Sequence, residues 1–323
     1  MKILFLLALV LVGFTALVQI RASQRETRAE SAFPPEGQLL NVDGVQVHAV
    51  VMGEGPDIVL LHGASGNTRD FTFAMAPRLA QHFRVIMFDR PGLGWTERTS
   101  SQFGGAWNTA SESPADQAKL LQKAAEELGV SNPIIVGQSY GASLAWAWGL
   151  NRPSDTAALV SIAGVANPWP GKLSHLHRWN ASALGGALLV PVITAFAPKQ
   201  AVVDTIESIF EPQDAPVGYL DHVASELTLR RETMRANARQ VTSLRPHIVE
   251  MSARYGELSM PVEIIHGDAD TIVPLSVHSI TLPQQISNAN LHILKGVGHM
   301  PHHTHLDEVI AAIERAAARA GLR

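Results

Sequence analysis

The sequence predicts an α/β domain: a mostly parallel, eight-stranded sheet flanked by helices, with an inserted helical cap and a transmembrane-like N-terminal helix. Three observations carry this expectation. Compact apolar runs that end in glycine or polar residues alternate with helical patterns along most of the chain. One long interval between two such runs is rich in helix-formers and holds no obvious strand. The chain opens on an uncharged apolar stretch, "ILFLLALVLVGFTALVQI", from Ile3 to Ile20.

That opening stretch follows Lys2 and is closed by Arg21, Arg25 and Arg28. A cleaved signal ordinarily carries an apolar region of about 7–15 residues and then a small-x-small site. Neither feature fits here, whereas the stretch is just long enough to span a bilayer. Residues 1–21 are therefore expected to form an uncleaved single-pass anchor, with a secreted or periplasmic body after signal cleavage as the alternative. Three arginines after the span lean the body toward the cytoplasm. Residues 22–37, charged and then proline-bearing, read as a linker.

The first part of the core is expected over 38–167. "QLLNVDGVQVHAVVMG" alternates around Asp43-Gly44, a pair that tolerates the positive φ of a tight hairpin turn. Six further runs follow: "DIVLLHG", "RVIMFDR", "NPIIVGQS", "AALVSIAG", "PVEIIHGD" and "LHILKGVGH". Continuous apolar runs mark strands buried on both faces, as in a parallel sheet. Between them, Ser113 to Gly129 reads as an amphipathic helix with Ser113 as N-cap, Pro114 in its first turn, Asp116 in the capping-box position and Gly129 as terminator. The strand-free interval gives a helical cap over 168–250, because a structureless loop of that size does not suit a compact domain. The second part of the core spans 251–323.

Composition excludes several functions. The 323-residue chain has a formal net charge of -4 and no run of lysine or arginine, so it carries no footprint for nucleic acid. It has no cysteine, which removes disulfides, thiolate metal sites and a cysteine nucleophile.

Chemistry enters at "GQSYG". A Gly-x-Ser-x-Gly between a strand and a helix is a nucleophile elbow, in which a strained turn exposes the serine hydroxyl above the sheet. Gly137 and Gly141 leave room where side chains would collide with neighbouring elements. A serine needs a base to take its proton and a third group to hold that base in one tautomer. "HGDADTIVP" after the penultimate strand offers Asp268 and Asp270, and "KGVGHMPHH" after the last strand offers His299. The chain order Ser, Asp, His suits this arrangement.

Taken together, "HGASG", "DRPGLGWTER", "GQSYG", "HGDADTIVP" and "GVGHMPH" resemble the motifs of the α/β-hydrolase fold superfamily, in its serine-nucleophile branch with a helical cap. The resemblance covers about residues 40–167 and 258–320. It implies Ser139 as nucleophile, His299 as general base and Asp270 as the acid, three residues after Gly267, and leaves Asp268 as a loop-fixing acceptor. It further implies an oxyanion hole from the backbone N–H groups of Ala64 and Tyr140. His62 is expected to shape the oxyanion loop, Ser65 to be a loop residue, and Asp89 and Arg90 to form a structural turn. Trp95 stands where the family has a smaller residue, at a pocket wall.

The function these readings imply is a serine hydrolase acting on a carboxylic ester or related acyl bond through an acyl-enzyme. Serine-triad hydrolysis of a carbon–carbon bond, or perhydrolysis, is the alternative on the same fold, and a non-catalytic membrane-tethered binding module is the alternative of another class. No metal or organic cofactor is implied, and the histidines of "HMPHHTH" read as a solvated helix start. The expected partners are a small apolar acyl substrate and, through the N-terminal helix, the membrane. The uncharged stretch "ASALGGALLVPVITAFAP" (181–198) reads as a cap helix on the core, with lining of an acyl pocket or contact with the membrane as sharper alternatives.

Overall fold

The computed structural model describes residues 1–171 and 173–323. Eight strands form one sheet in the order β1-β2-β4-β3-β5-β6-β7-β8: β1 (Gln38–Val42), β2 (Val45–Met52), β3 (Asp57–Leu61), β4 (Arg84–Phe88), β5 (Ile134–Gln138), β6 (Ala158–Ile162), β7 (Val262–Gly267) and β8 (Ala289–Leu294). β1 and β2 are antiparallel, β2 runs antiparallel to β4, and every later pairing is parallel. The hairpin turn has φ of 52° at Asp43 and 84° at Gly44, the mirror-image geometry whose twist matches the flanking strands.

The apolar runs are buried because both faces of the sheet are covered. One face packs Val59, Leu61, Ile86 and Ile135 under the helices Pro114–Glu127 and Tyr140–Asn151. The other packs Ile58, Leu60, Val85 and Val136 against the helix Leu306–Arg319. Helix Pro114–Glu127 carries the complete capping box between Ser113 and Asp116, as the sequence predicts. The cap lies between β6 and β7 and has no strand among the described residues, with the helices His175–Ala181, Val190–Phe196, Lys199–Phe210 and Arg231–Ser252 as its main parts.

Two expectations are corrected. Residues 22–32 are not a tether: one helix runs from Lys2 to Ala32 and only the short segment beyond it, with Pro34 and Pro35, is irregular. The stretch is made of strong helix-formers, and its carboxylates find partners on the cap. Arg231 grips Glu26 through both its Nε (2.8 Å) and Nη2 (2.6 Å), and Arg230 reaches Glu30 at 3.1 Å. Trp95 is not a wall of the site pocket. It packs with Ala29, Phe33, Ala224 and Leu227, and its Nε1–H donates to the Phe33 carbonyl at 3.1 Å. The larger side chain serves the docking of the N-terminal helix.

Candidate active site

The site is built at the carboxyl ends of β5, β7 and β8, where a parallel sheet opens toward its loops. Ser139 follows β5 directly and has φ 52° and ψ -119°, a conformation that costs a non-glycine residue about 1–3 kcal/mol. The surroundings enforce it. A Cβ on Gly137 would lie 2.5 Å from the Ala142 Cα, and one on Gly141 would lie 2.0 Å from the Leu61 carbonyl oxygen. Backbone bonds pin the turn to β6 and the loop after it, with Ser139 N–H donating to Ile162 O at 3.0 Å and Val165 N–H to Ser139 O at 3.1 Å.

Two loops bring the partners. Ser139 Oγ–H donates to His299 Nε2 at 2.9 Å, and His299 Nδ1–H donates to Asp270 Oδ2 at 2.7 Å. The loops after β7 and β8 are stitched together: Ala269 N–H donates to Val297 O at 3.0 Å, and Gly296 N–H to Asp268 Oδ1 at 2.6 Å. Asp268 thus has the loop-fixing place expected of it, and Asp270 faces the imidazole. All three of Ser139, Asp270 and His299 are buried.

Asp270 is held ionised. Burial pushes its carboxyl pKa up, but hydrogen bonds from His266 and His299, the His299 charge and the Val273 N–H outweigh it and hold the group well below the usual range. Ile272 and Val273 N–H both donate to Oδ1 at 2.9 Å, which leaves Oδ2 to the histidines.

The candidate oxyanion loop follows β3. The N–H groups of Ala64 and Tyr140 have no hydrogen-bond partner among the described residues, which leaves both donors available. His62 shapes the loop: its Nδ1–H donates to Gly63 O at 2.9 Å and its Nε2 accepts from Arg90 N–H at 2.9 Å. Burial, followed by the Arg90 charge, lowers its pKa to about 4, so it stays neutral in these roles. Asp89 anchors the neighbouring turn by accepting from Thr68 N–H, Trp95 N–H and His48 Nδ1–H, each at 2.7 Å. Arg90 is fully buried, its guanidinium over the Tyr140 ring at 4.1 Å and bonded to Gln117 and Gln240.

Several residues of this site escape a reading of the sequence. His266, on β7, accepts from Ser279 Oγ–H at 2.7 Å and aims Nε2–H at Val273 O (2.7 Å) and Asp270 Oδ2 (3.2 Å). The one signal for it is a histidine at the end of an otherwise apolar strand. From the cap, Asn237 bonds Ser65, Thr228 Oγ1–H donates to Ser65 O at 2.7 Å, and Gln213 bonds both Gly296 O (2.7 Å) and Gly298 N–H (2.9 Å). Nothing in the sequence marks these three.

His302 and His303 are not a solvated helix start. Both donate through Nε2–H to Asp70, at 3.1 and 2.8 Å, and Tyr219 O–H donates to the same carboxylate at 2.7 Å. The three ligand-type atoms lie within 4.8 Å of one another. The Nδ1 atoms of both histidines have no hydrogen-bond partner among the described residues. Burial first, then the His303 charge, lowers the His302 pKa to about 4. The cluster is a buried hydrogen-bond knot on Asp70.

Comparison with known proteins agrees with the architecture. Residues 58–312 match the model of the alpha/beta hydrolase family. The chain is 23% identical over 297 residues to a 2-hydroxy-6-oxononadienedioate/2-hydroxy-6-oxononatrienedioate hydrolase of Klebsiella pneumoniae, covering 88% of this chain and 96% of the relative. It is 26% identical over 296 residues to a 2-hydroxymuconate semialdehyde hydrolase of Pseudomonas putida, covering 89% and 96%. Among solved structures, the 2-hydroxy-6-oxo-6-phenylhexa-2,4-dienoate hydrolase of Rhodococcus sp. strain RHA1 superposes with a TM-score of 0.70 at 21% identity, over 86% of this chain and 96% of that one. At that identity the superposition speaks for the fold. With the family model spanning most of the chain and the strand-end constellation in place, this protein belongs to the alpha/beta hydrolase family.

Proposed function

We propose that this protein is a serine hydrolase that cleaves a bond to a carbonyl carbon, with Ser139, His299 and Asp270 as its triad. The observation that carries the reading is the pair of bonds at 2.9 Å and 2.7 Å that join the three side chains. Ser139 Oγ attacks the carbonyl carbon while His299 Nε2 takes the hydroxyl proton. Asp270 holds the Nδ1–H tautomer and stabilises the imidazolium that forms. The N–H groups of Ala64 and Tyr140 stabilise the oxyanion, a contribution of about 3 kcal/mol for each donor in such holes. His299 then returns the proton to the leaving group, and a water activated by the same base releases the acid.

Among such bonds we infer a carbon–carbon bond in a 2-hydroxy-6-oxo-dienoate, because the relatives named above are hydrolases of that substrate class. There the leaving group is a carbanion, so its departure requires delocalisation into the conjugated keto acid and protonation at carbon. The second reading is a carboxylic ester, whose alkoxide leaves with the His299 proton. The triad geometry serves this reaction equally, since acyl transfer to Ser139 asks only for a carbonyl carbon and a leaving group that takes the proton.

The deciding experiment measures kcat/KM side by side on 2-hydroxy-6-oxohexa-2,4-dienoate, by loss of its absorbance, and on a series of p-nitrophenyl esters, with Ser139→Ala as control. Dienoate turnover that vanishes in Ser139→Ala supports the carbon–carbon reading. Ester turnover without dienoate loss overturns it in favour of the ester, and inertness toward both classes, together with no labelling by a fluorophosphonate probe, points to a non-catalytic binding module.

A further inference from the structure

The cap carries an apolar surface that the hydrolase chemistry does not explain. Leu176, Trp179, Leu184 and Leu188 are each more than half exposed. They sit on a helical hairpin made of His175–Ala181, a π-helical turn at Gly185–Leu189, and Val190–Phe196, with a 90° bend between its arms. The second arm and the bend, Ala181 to Pro198, contain no charged residue, while the first arm carries Arg178 with His175 and His177. Single exposed apolar residues are ordinary, but a contiguous set marks a binding surface.

What covers this surface follows from its neighbour. The second arm of the hairpin packs beside the N-terminal helix: Ala195 is buried against Val18 and Ala22, with Val192 alongside. Arg21 Nε–H donates to Ala195 O at 3.1 Å and Arg25 Nη1–H to Ala197 O at 3.0 Å. As residue numbers rise together on both helices, the two run in the same direction. Leu184 and Leu188 therefore lie toward the level of the exposed apolar half of the N-terminal helix, the part with Leu11 and Phe14, and away from its charged half. At the other end of the arm come Lys199 and, on the N-terminal helix, Arg21, Arg25 and Arg28, at the level where phospholipid headgroups end a bilayer.

We propose that the hairpin His175–Phe196 is seated in the interfacial and upper acyl layer of the same bilayer that the N-terminal helix enters, so that the cap faces lipid and admits a membrane-partitioned substrate. This rests on reading the N-terminal helix as a membrane span. The hairpin is coupled to the site by one helix. Arg235 of Arg231–Ser252 donates through Nε–H to Gly186 O at 2.8 Å, and Asn237 of the same helix holds Ser65 beside the oxyanion loop.

The absence of cysteine makes the test direct, since a single introduced cysteine labels uniquely. The full chain carrying Leu11→Cys, Leu184→Cys, Leu188→Cys or Lys119→Cys, each labelled with nitrobenzoxadiazole, is reconstituted into phosphatidylcholine–phosphatidylglycerol vesicles with and without acyl-chain spin-labelled lipid. The expected result is blue-shifted emission and strong quenching at 11, 184 and 188 and neither at 119. Quenching at 11 without quenching at 184 and 188 overturns the lipid-seated hairpin while leaving the span intact. Absence of quenching at 11 overturns the span itself. Disulfide cross-links between copies through Leu184→Cys, without lipid quenching there, assign the surface to a second copy and equally overturn the proposal.

Discussion

Asn237 clasps Ser65 with both ends of its amide: Oδ1 accepts from Ser65 N–H at 2.8 Å and Nδ2–H donates to Ser65 Oγ at 2.9 Å. Ser65 sits at φ 60°, one residue after Ala64, so a cap side chain holds the loop that presents a candidate oxyanion donor. Replacing Asn237 with Ala leaves that N–H without its acceptor and frees a strained backbone. The expected outcome is a fall in kcat of about tenfold, equivalent to ~1.4 kcal/mol, with a smaller change in KM. Steady-state kinetics of the variant check it; an unchanged kcat removes Asn237 from any positioning role.

The strain at Ser139 predicts opposite effects on activity and stability. Ser139→Gly is expected to abolish turnover, by about 10⁴-fold or more in kcat, because the proposed nucleophile is gone. The same change relaxes the φ 52° backbone and is expected to raise stability by about 1 kcal/mol, less the lost bond to His299. Denaturant unfolding of the two proteins measures the difference.

Acid stability should be governed by buried neutral histidines. His62, His278 and His302 are each lowered to about 4, in every case chiefly by burial. Between that value and the unfolded value near 6.5, the unfolded chain binds a proton at each site that the folded chain does not. Stability therefore rises with pH through this window and is lost as pH falls from about 6.5 to 4, at up to about 1.4 kcal/mol per pH unit for each group. Below the folded value the loss levels off. His302→Gln should flatten the slope over the same window, as urea midpoints at a series of pH values would reveal.

Docking of the N-terminal helix predicts a protection pattern. Glu26 accepts from the Arg231 side chain and from its backbone N–H at 2.8 Å, and both side chains are partly shielded from solvent, so the pair is screened less than a fully exposed one. Glu26→Ala should loosen residues 22–32 and speed trypsin cleavage at Arg25 and Arg28 severalfold relative to wild type. Equal rates in the two proteins would mean that the apolar contacts of Ala22 and Ala29 suffice.

The architecture was legible because it rests on local patterns. Doubly buried strands write themselves as unbroken apolar runs, the Asp43-Gly44 turn needs two positive φ angles, and the elbow needs small residues at 137 and 141. The candidate triad was legible for a related reason: nucleophile, acid and base each follow a strand of their own. His266, Gln213, Thr228 and Asn237 were not legible, since each acts on a loop distant in sequence and resembles an ordinary strand or helix residue. The N-terminal helix shows the limit from the other side. Its apolar half was plain, but the helix continues to Ala32 because Arg230 and Arg231, some two hundred positions away, meet Glu30 and Glu26.

By itself, then, the sequence determined the sheet, the elbow and the order of the candidate catalytic residues, because backbone periodicity and turn stereochemistry act over a few residues. Only the tertiary structure decided how the cap holds both candidate catalytic loops and how the N-terminal helix joins the cap. Those contacts depend on which distant side chains the packed core brings within hydrogen-bonding distance, and short-range pattern carries no record of that.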